Sequence, residues 1–101
     1  ISMCAMDSTA GAMKFWMGVN GTWFASGDPA NGNNAQWAET GDYQPVAFLA
    51  NFNNSISQTN FGAPPFSISS GNADANGFGN FEYAVPSGYF SLCTKNLAEF
   101  G

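Results

Sequence analysis

Met13-Lys14-Phe15-Trp16-Met17-Gly18-Val19-Asn20-Gly21-Thr22-Trp23-Phe24 is the stretch that decides the fold. Two apolar, aromatic runs meet at Asn20-Gly21. Asn and Gly both tolerate positive φ, which the two central residues of a type I′ turn require. That turn carries the twist that lets neighbouring strands pair as a tight hairpin. Lys14 to Val19 and Thr22 to Ala25 are therefore expected to be the two arms of a β-hairpin.

Outward from the hairpin, composition points the same way. The chain has 101 residues, enough for one domain with a modest core. Aromatic residues make up 16%, more than a disordered chain carries. Charged residues make up only 9%, against roughly a quarter in a typical soluble domain. Gly and Asn are abundant and no segment shows helical periodicity, so an all-β chain with polar, uncharged loops is expected. Such surfaces are commoner outside cells and in virion proteins.

The net charge is −5, with Lys14 and Lys95 the only cations. Two separated lysines cannot neutralise a phosphate backbone, so nucleic-acid binding is excluded. Attraction to an anionic membrane fails on the same count. No run approaches the roughly 20 apolar residues of a membrane-spanning helix, so no membrane insertion is expected. The start, Ile1 to Met6, lacks the basic region of a signal peptide. Because it is not Met, a processed chain or a segment of a longer one is expected.

Taken in order, Ser2 to Asp7 reads as a short strand and Asp7 to Gly11 as a turn. Ser26 to Asp42 reads as a long Gly/Asn-rich loop, a length that is often functional. Trp37 within it either anchors the loop or serves as a contact residue. Pro45 to Asn51 is the most apolar run and reads as a central strand. Phe52 to Ser55 is turn-like, Ile56 to Phe61 another strand, and Ala63 to Phe66 too proline-rich to pair. Ser67 to Gly79 reads as a second loop, with a short edge strand near Phe66 to Ile68. Asn80 to Val85 and Tyr89 to Thr94 read as strands around a Pro86-Ser87-Gly88 turn, and Lys95 to Gly101 as a solvated tail. Phe15, Met17, Phe48, Phe61, Phe81, Tyr83 and Leu92 are the expected core. Cys4 and Cys93 read either as small buried residues or as a single bridge between terminal strands.

Several motifs carry a family resemblance. Lys14 to Trp23 resembles the hairpin in the C-terminal half of SPRY domains. Asn60-Phe61-Gly62-Ala63-Pro64-Pro65-Phe66 resembles the N-F-G-x-x-P-F segment that closes many of them. Val85 to Leu97, containing Pro86, Gly88-Tyr89, Leu92, Thr94 and Asn96-Leu97, resembles the ending of SPRY-like modules in phage and other viral structural proteins. Gly21-Thr22-Trp23 followed by Gly27-Asp28-Pro29-Ala30 is similar to the loop those modules carry. Cys93 stands where the family often has Asn. The resemblance implies an antiparallel β-sandwich of the concanavalin-like type over residues 1–94, corresponding to the C-terminal half of the full module, and a tail over 95–101. The strand pattern by itself is equally that of a jelly roll or partial barrel. Half a sandwich leaves an apolar sheet face, which the rest of the polypeptide or neighbouring subunits are expected to cover.

Little in the sequence suggests catalysis. With no histidine, neither Ser-His-Asp nor Cys-His chemistry can be assembled. The loop acids Asp28, Glu39 and Asp42 read as solvated rather than as a glycosidase pair. Asp28, Asn31, Asn33 and Asn34 offer oxygen ligands, but at no calcium-loop spacing. Asn20-Gly21-Thr22 and Asn53-Asn54-Ser55 match the N-glycosylation pattern and carry little weight. No cofactor and no metal are expected. The expected role is a non-enzymatic virion module, virion-borne or extracellular, in a tail, fibre or capsid-surface protein. Its partners would be other copies or other virion proteins, with a host receptor or glycan as a further partner. Asp28, Asn31, Trp37 and Tyr43 form the candidate contact loop. The alternatives are a cellular SPRY-type peptide-binding module and a carbohydrate-binding sandwich in which Trp37 and Tyr43 stack on sugar rings.

Overall fold

The computed structural model of the chain describes residues 1–9, 11–41 and 56–101. The strand expected over Pro45 to Asn51, the turn at Phe52 to Ser55, the core residue Phe48 and the contact residue Tyr43 lie outside the described residues.

The hairpin forms as its sequence requires. Strand β2 (Met13–Val19) turns through Asn20 at φ 50° and Gly21 at φ 86° into β3 (Thr22–Trp23), with Val19 opposite Thr22. Strand β1 (Ser2–Asp7) pairs antiparallel with β2, from Ser2 opposite Val19 to Asp7 opposite Lys14. The connection is held by Asp7, whose carboxylate accepts from the Thr9 backbone N–H and hydroxyl at 2.8 and 2.7 Å. The second arm is shorter than expected: after Trp23 the chain leaves the sheet, with Ala25 and Ser26 at φ 52° and 55°.

The expected loop over Ser26 to Asp42 is only partly a loop. Trp37–Glu39 forms a strand, β4, that pairs with the first half of β2, Phe15 opposite Trp37. One edge of β2 thus carries two short strands, β3 at its end and β4 at its start. Gln36 fills the gap between them. Its backbone N–H donates to the Phe15 carbonyl at 3.0 Å, and its side-chain Oε1 accepts from the Met17 N–H at 2.6 Å. The ladder is completed by a side chain where no strand reaches. Its amide nitrogen donates to the carbonyls of Phe24 and Asn34, tying the intervening loop to the same point.

Among the described residues the result is a single open antiparallel sheet. No second packed sheet is present among the described residues. Ile56 to Phe61, Asn80 to Val85 and Tyr89 to Thr94 are not strands, and no edge strand forms near Phe66 to Ile68. The nearest approach to pairing is one bridge, where Asn72 and Phe81 exchange backbone bonds at 2.8 Å. Polar side chains compete for the backbone here. The Asn72 amide donates to the carbonyls of Phe81 and Glu82, and Asn60 donates to Asn80. Glu82 accepts from the Ser69 N–H and the Ser70 hydroxyl. The Pro86-Ser87-Gly88 turn does form, closed by the Tyr89 N–H on the Pro86 carbonyl.

The expected tail is a helix, α1 (Thr94–Phe100). Seven residues are too few to show periodicity, and a helix that short is marginal without tertiary support. Asn96, buried in its first turn, supplies that support.

The core is also not where the apolar residues suggested. Trp16 is fully buried and Ala5 nearly so, whereas Met17, Phe61 and Leu92 are 45%, 52% and 67% exposed. Phe15, Phe81 and Tyr83 are half-buried. Alternation in β2 puts Lys14, Trp16 and Gly18 on one face and Phe15, Met17 and Val19 on the other. The C-terminal half covers the first face. Tyr89 meets Trp16 edge-on, with ring centroids 6.2 Å apart. Cys4 is exposed and Cys93 half-buried, both as free thiols, so neither the buried reading nor the bridge holds.

Candidate functional site

The loop after β3 is built around Trp16. Its indole N–H donates to the Asn33 carbonyl at 2.7 Å, and the Lys14 ammonium donates to the Gly32 carbonyl at 3.0 Å. These two bonds pull the loop down onto the covered face of the sheet. Asp28 and Asn33 exchange backbone bonds at 3.0 Å, enclosing a single 3₁₀ turn at Pro29–Asn31. Asp28 caps that turn. Its carboxylate accepts from the Asn31 N–H at 3.3 Å and from the Asn31 side-chain amide at 2.7 Å. Pro29 at the first position has no N–H to leave unpaired, which suits a helix start.

This loop forms one wall of a cleft of about 330 Å³. Met3 and Trp23 contribute from the sheet, Asp28 and Pro29 from the capped turn, and Tyr83 and Pro86 from the C-terminal half. Gly21 lies at its base, where a Cβ would come within 3.1 Å of the Tyr83 ring. The hairpin turn thus needs glycine twice, for its positive φ and for the close approach of that ring.

Of the expected contact residues, Asp28 and Asn31 are brought together. Trp37 is not with them. Its pairing with Phe15 places it on the opposite face of the sheet, 40% exposed. Tyr43 lies outside the described residues. The cleft's aromatic walls, Trp23 and Tyr83, were missed because both read as hairpin or core residues. The usable signal was Gly27-Asp28-Pro29, a chain reversal placed close after an aromatic strand end.

A second polar cluster sits in the C-terminal half. Asp74 is buried, and its Oδ1 accepts from the backbone N–H groups of Asn76 and Phe78, both at 3.0 Å. Its Oδ2 accepts from the Ser91 N–H and hydroxyl at 2.8 Å and from the Asn96 amide at 2.7 Å. The Asn96 amide also reaches the Ser91 carbonyl and hydroxyl, and its own oxygen accepts from Asn76. Burial by itself would raise the Asp74 carboxyl, but the donors from Ser91, Asn96 and Phe78 outweigh it and hold the group well below the usual carboxylate range. The Ser91 hydroxyl and then the Asn96 N–H lower the Cys93 thiol, with Cys93 Sγ 3.3 Å from Ser91 Oγ.

A carboxylate, a hydroxyl and a thiol side by side suggest nucleophilic chemistry, but the bonding describes a staple. The Ser91 hydroxyl is one of five donors that together fix the Asp74 carboxylate in place. What Asp74 does is join three segments, the 74–78 turn, Ser91 and α1, that no backbone ladder joins.

Among the described residues no group of three or more His, Cys, Asp or Glu side chains is placed to hold a metal ion. No helix among them is long and apolar enough to cross a membrane. No family model matches this chain, and no curated protein or solved structure matches it either.

Proposed function

We propose that this chain is a non-enzymatic structural or surface module of a virion, of the SPRY-like kind found in phage proteins, that works by docking against protein. In this reading the open sheet is one layer of an antiparallel β-sandwich whose second layer is another protein surface or another part of a longer polypeptide. The observation that carries it is the exposure, among the described residues, of apolar side chains on one face of the sheet. Met17, Val19 and Trp37 are 45%, 39% and 40% exposed there, beside the exposed Cys4. Cross-strand pairing places them together: Cys4 opposite Met17 and Trp37 opposite Phe15, with Val19 further along the same face of β2. Contiguous apolar surface of this kind marks an interaction site. The viral-type ending at Val85 to Leu97 and the low charge supply the virion context.

The test is sedimentation velocity on the 101-residue chain, alone and after Met17→Lys or Val19→Lys. Concentration-dependent association of the parent chain, relieved by either lysine, is expected. A parent chain that stays monomeric and binds no apolar dye overturns the docking role. For the virion context, the source protein should co-sediment with particles; recovery only in particle-free fractions overturns that part.

A further inference from the structure

We propose that Asn20, at the tip of the hairpin, is a self-modification site: it loses its side-chain amide through a succinimide and becomes aspartate or isoaspartate. This goes beyond the docking role and does not rest on it. In an Asn-Gly pair the glycine nitrogen reaches the Asn Cγ easily, because the second residue has no side chain to obstruct the approach. A bond forms from that nitrogen to Cγ, and the nitrogen's proton passes to a solvent water or hydroxide. The Cγ–Nδ2 bond breaks, and ammonia departs with a proton taken from solvent. Water then adds to one of the two ring carbonyls and opens the ring. Opening at Cγ gives aspartate with the original backbone. Opening at the main-chain carbonyl gives isoaspartate, whose chain runs through Cγ.

The chain contains three such pairs, Asn20-Gly21, Asn31-Gly32 and Asn76-Gly77, and the fold separates them. Attack requires the glycine N–H to leave its acceptor and the Asn side chain to turn toward it. The Gly32 N–H donates to the Pro29 carbonyl at 3.0 Å, and the Asn31 amide donates to Asp28 at 2.7 Å. The Gly77 N–H donates to the Asp74 carbonyl at 2.9 Å, and the Asn76 amide to Asn96 at 2.8 Å, within the buried polar cluster. At the hairpin tip the Gly21 N–H meets only the Met3 thioether, a weak acceptor, at 3.2 Å. Asn20 is exposed, and its Oδ1 accepts from the Ile1 amino group at 2.6 Å. Its Nδ2, the atom that must leave, holds no hydrogen bond among the described residues. The arm that follows is short, two residues of β3 before the chain leaves the sheet. Such an end opens locally at low cost. Isoaspartate then adds a methylene and a negative charge to a turn whose two residues fit Val19 to Thr22 and whose Gly21 packs against Tyr83. The product loosens both.

The experiment is incubation of the full chain in mildly alkaline heavy-oxygen water at physiological temperature, followed by peptide mapping with mass spectrometry. Heavy oxygen should enter at Asn20 roughly tenfold faster than at Asn31 or Asn76. The same incubation in urea removes the fold, and there the three pairs should react at similar rates. Asp28→Ala frees the Asn31 amide and the N–H it holds, so Asn31 should accelerate several-fold while Asn20 keeps its rate. The modified chain, separated by its extra charge, should show a displaced Trp23 indole signal in nitrogen–proton NMR and an unmoved Trp37. Equal rates for the three pairs in the folded chain, or first loss at Asn31 or Asn76, overturn the proposal. So does a lead of Asn20 that persists unchanged in urea, since the fold would then have no part in it. An Asn31 rate unmoved by Asp28→Ala overturns the protection assigned to those bonds, and an unmoved Trp23 in the modified chain overturns the loosening. None of these outcomes bears on sedimentation, so the docking role and the modification site fail separately.

Discussion

The N-terminal and C-terminal halves of this chain solve the same problem by different means. In residues 2–39 the backbone groups pair with one another, along β1, β2, β3 and β4. In residues 56–101 side chains carry much of the pairing: Asp74, Asn72, Asn60 and Glu82 each hold two or more backbone or side-chain groups. A ladder spreads stability over many equivalent bonds, so loss of one is shared. A hub concentrates it, so one substitution orphans several donors together. The two halves meet at Trp16, whose ring packs against Tyr89 and whose N–H holds the loop carrying Asp28.

Removing that junction should have the largest effect. Trp16→Ala is expected to cost about 3–5 kcal/mol, as for other buried large aromatics. In urea unfolding followed by circular dichroism and by NMR, both halves should lose protection together. Protection kept in α1 while the sheet melts would show that the halves are independent.

Next comes the hub. Asp74→Ala leaves the N–H groups of Asn76, Phe78 and Ser91 without their acceptor and is expected to cost roughly 2–4 kcal/mol. The contrasting ladder variant is Thr22→Ala, an exposed position in β3, expected to stay within about 0.5 kcal/mol. Equal midpoints for the two variants would erase the distinction between hub and ladder.

Acid should act on the same hub, less strongly, because a protonated carboxyl still accepts on one oxygen. Asp74 has a folded pKa well below its unfolded value of about 3.9. The folded state therefore binds fewer protons than the unfolded state as pH falls past that value. Its contribution is fully present above about pH 5 and is lost progressively below pH 4. The parent chain should lose stability along this limb, and Asp74→Ala should show a flatter one. Parallel acid limbs in the two proteins would mean that other carboxyls, such as Asp7 or Glu82, carry the effect.

The smallest expected effects separate two glycines with nearly the same φ. Gly21 and Gly88 stand at φ 86° and 85°. A Cβ at Gly21 meets the Tyr83 ring at 3.1 Å, whereas one at Gly88 meets nothing within 4 Å. Gly88→Ala should cost about 1 kcal/mol from backbone strain only, and Gly21→Ala more than that. Equal thermal shifts would show that the Tyr83 contact contributes nothing.

Sequence alone determined the local chemistry of the first half. Asn20-Gly21 dictates a two-residue turn because few residue pairs accept two positive φ values, and that turn sets the register of β2 and β3. Ser2 to Asp7 and the Pro86-Ser87-Gly88 turn were legible for similar local reasons. Which face of β2 would be covered was not legible. Phe15, Met17 and Val19 are more apolar than Lys14, Trp16 and Gly18 and so read as the buried face, yet it is Trp16 that is buried, because alternation assigns faces without saying what lies over them. The second half defeated strand reading, since Asn80 to Val85 has the pattern of a strand but its own carbonyls at Asn80, Phe81 and Glu82 are taken by the side chains of Asn60 and Asn72. The candidate site was half legible. Asp28 and Asn31 lie three residues apart, within reach of a local cap, whereas Trp23 and Tyr83 are separated by most of the chain. Only the packing of the C-terminal half onto Trp16 and the Gly21 turn brings them together, because that contact depends on long-range geometry that no local pattern encodes.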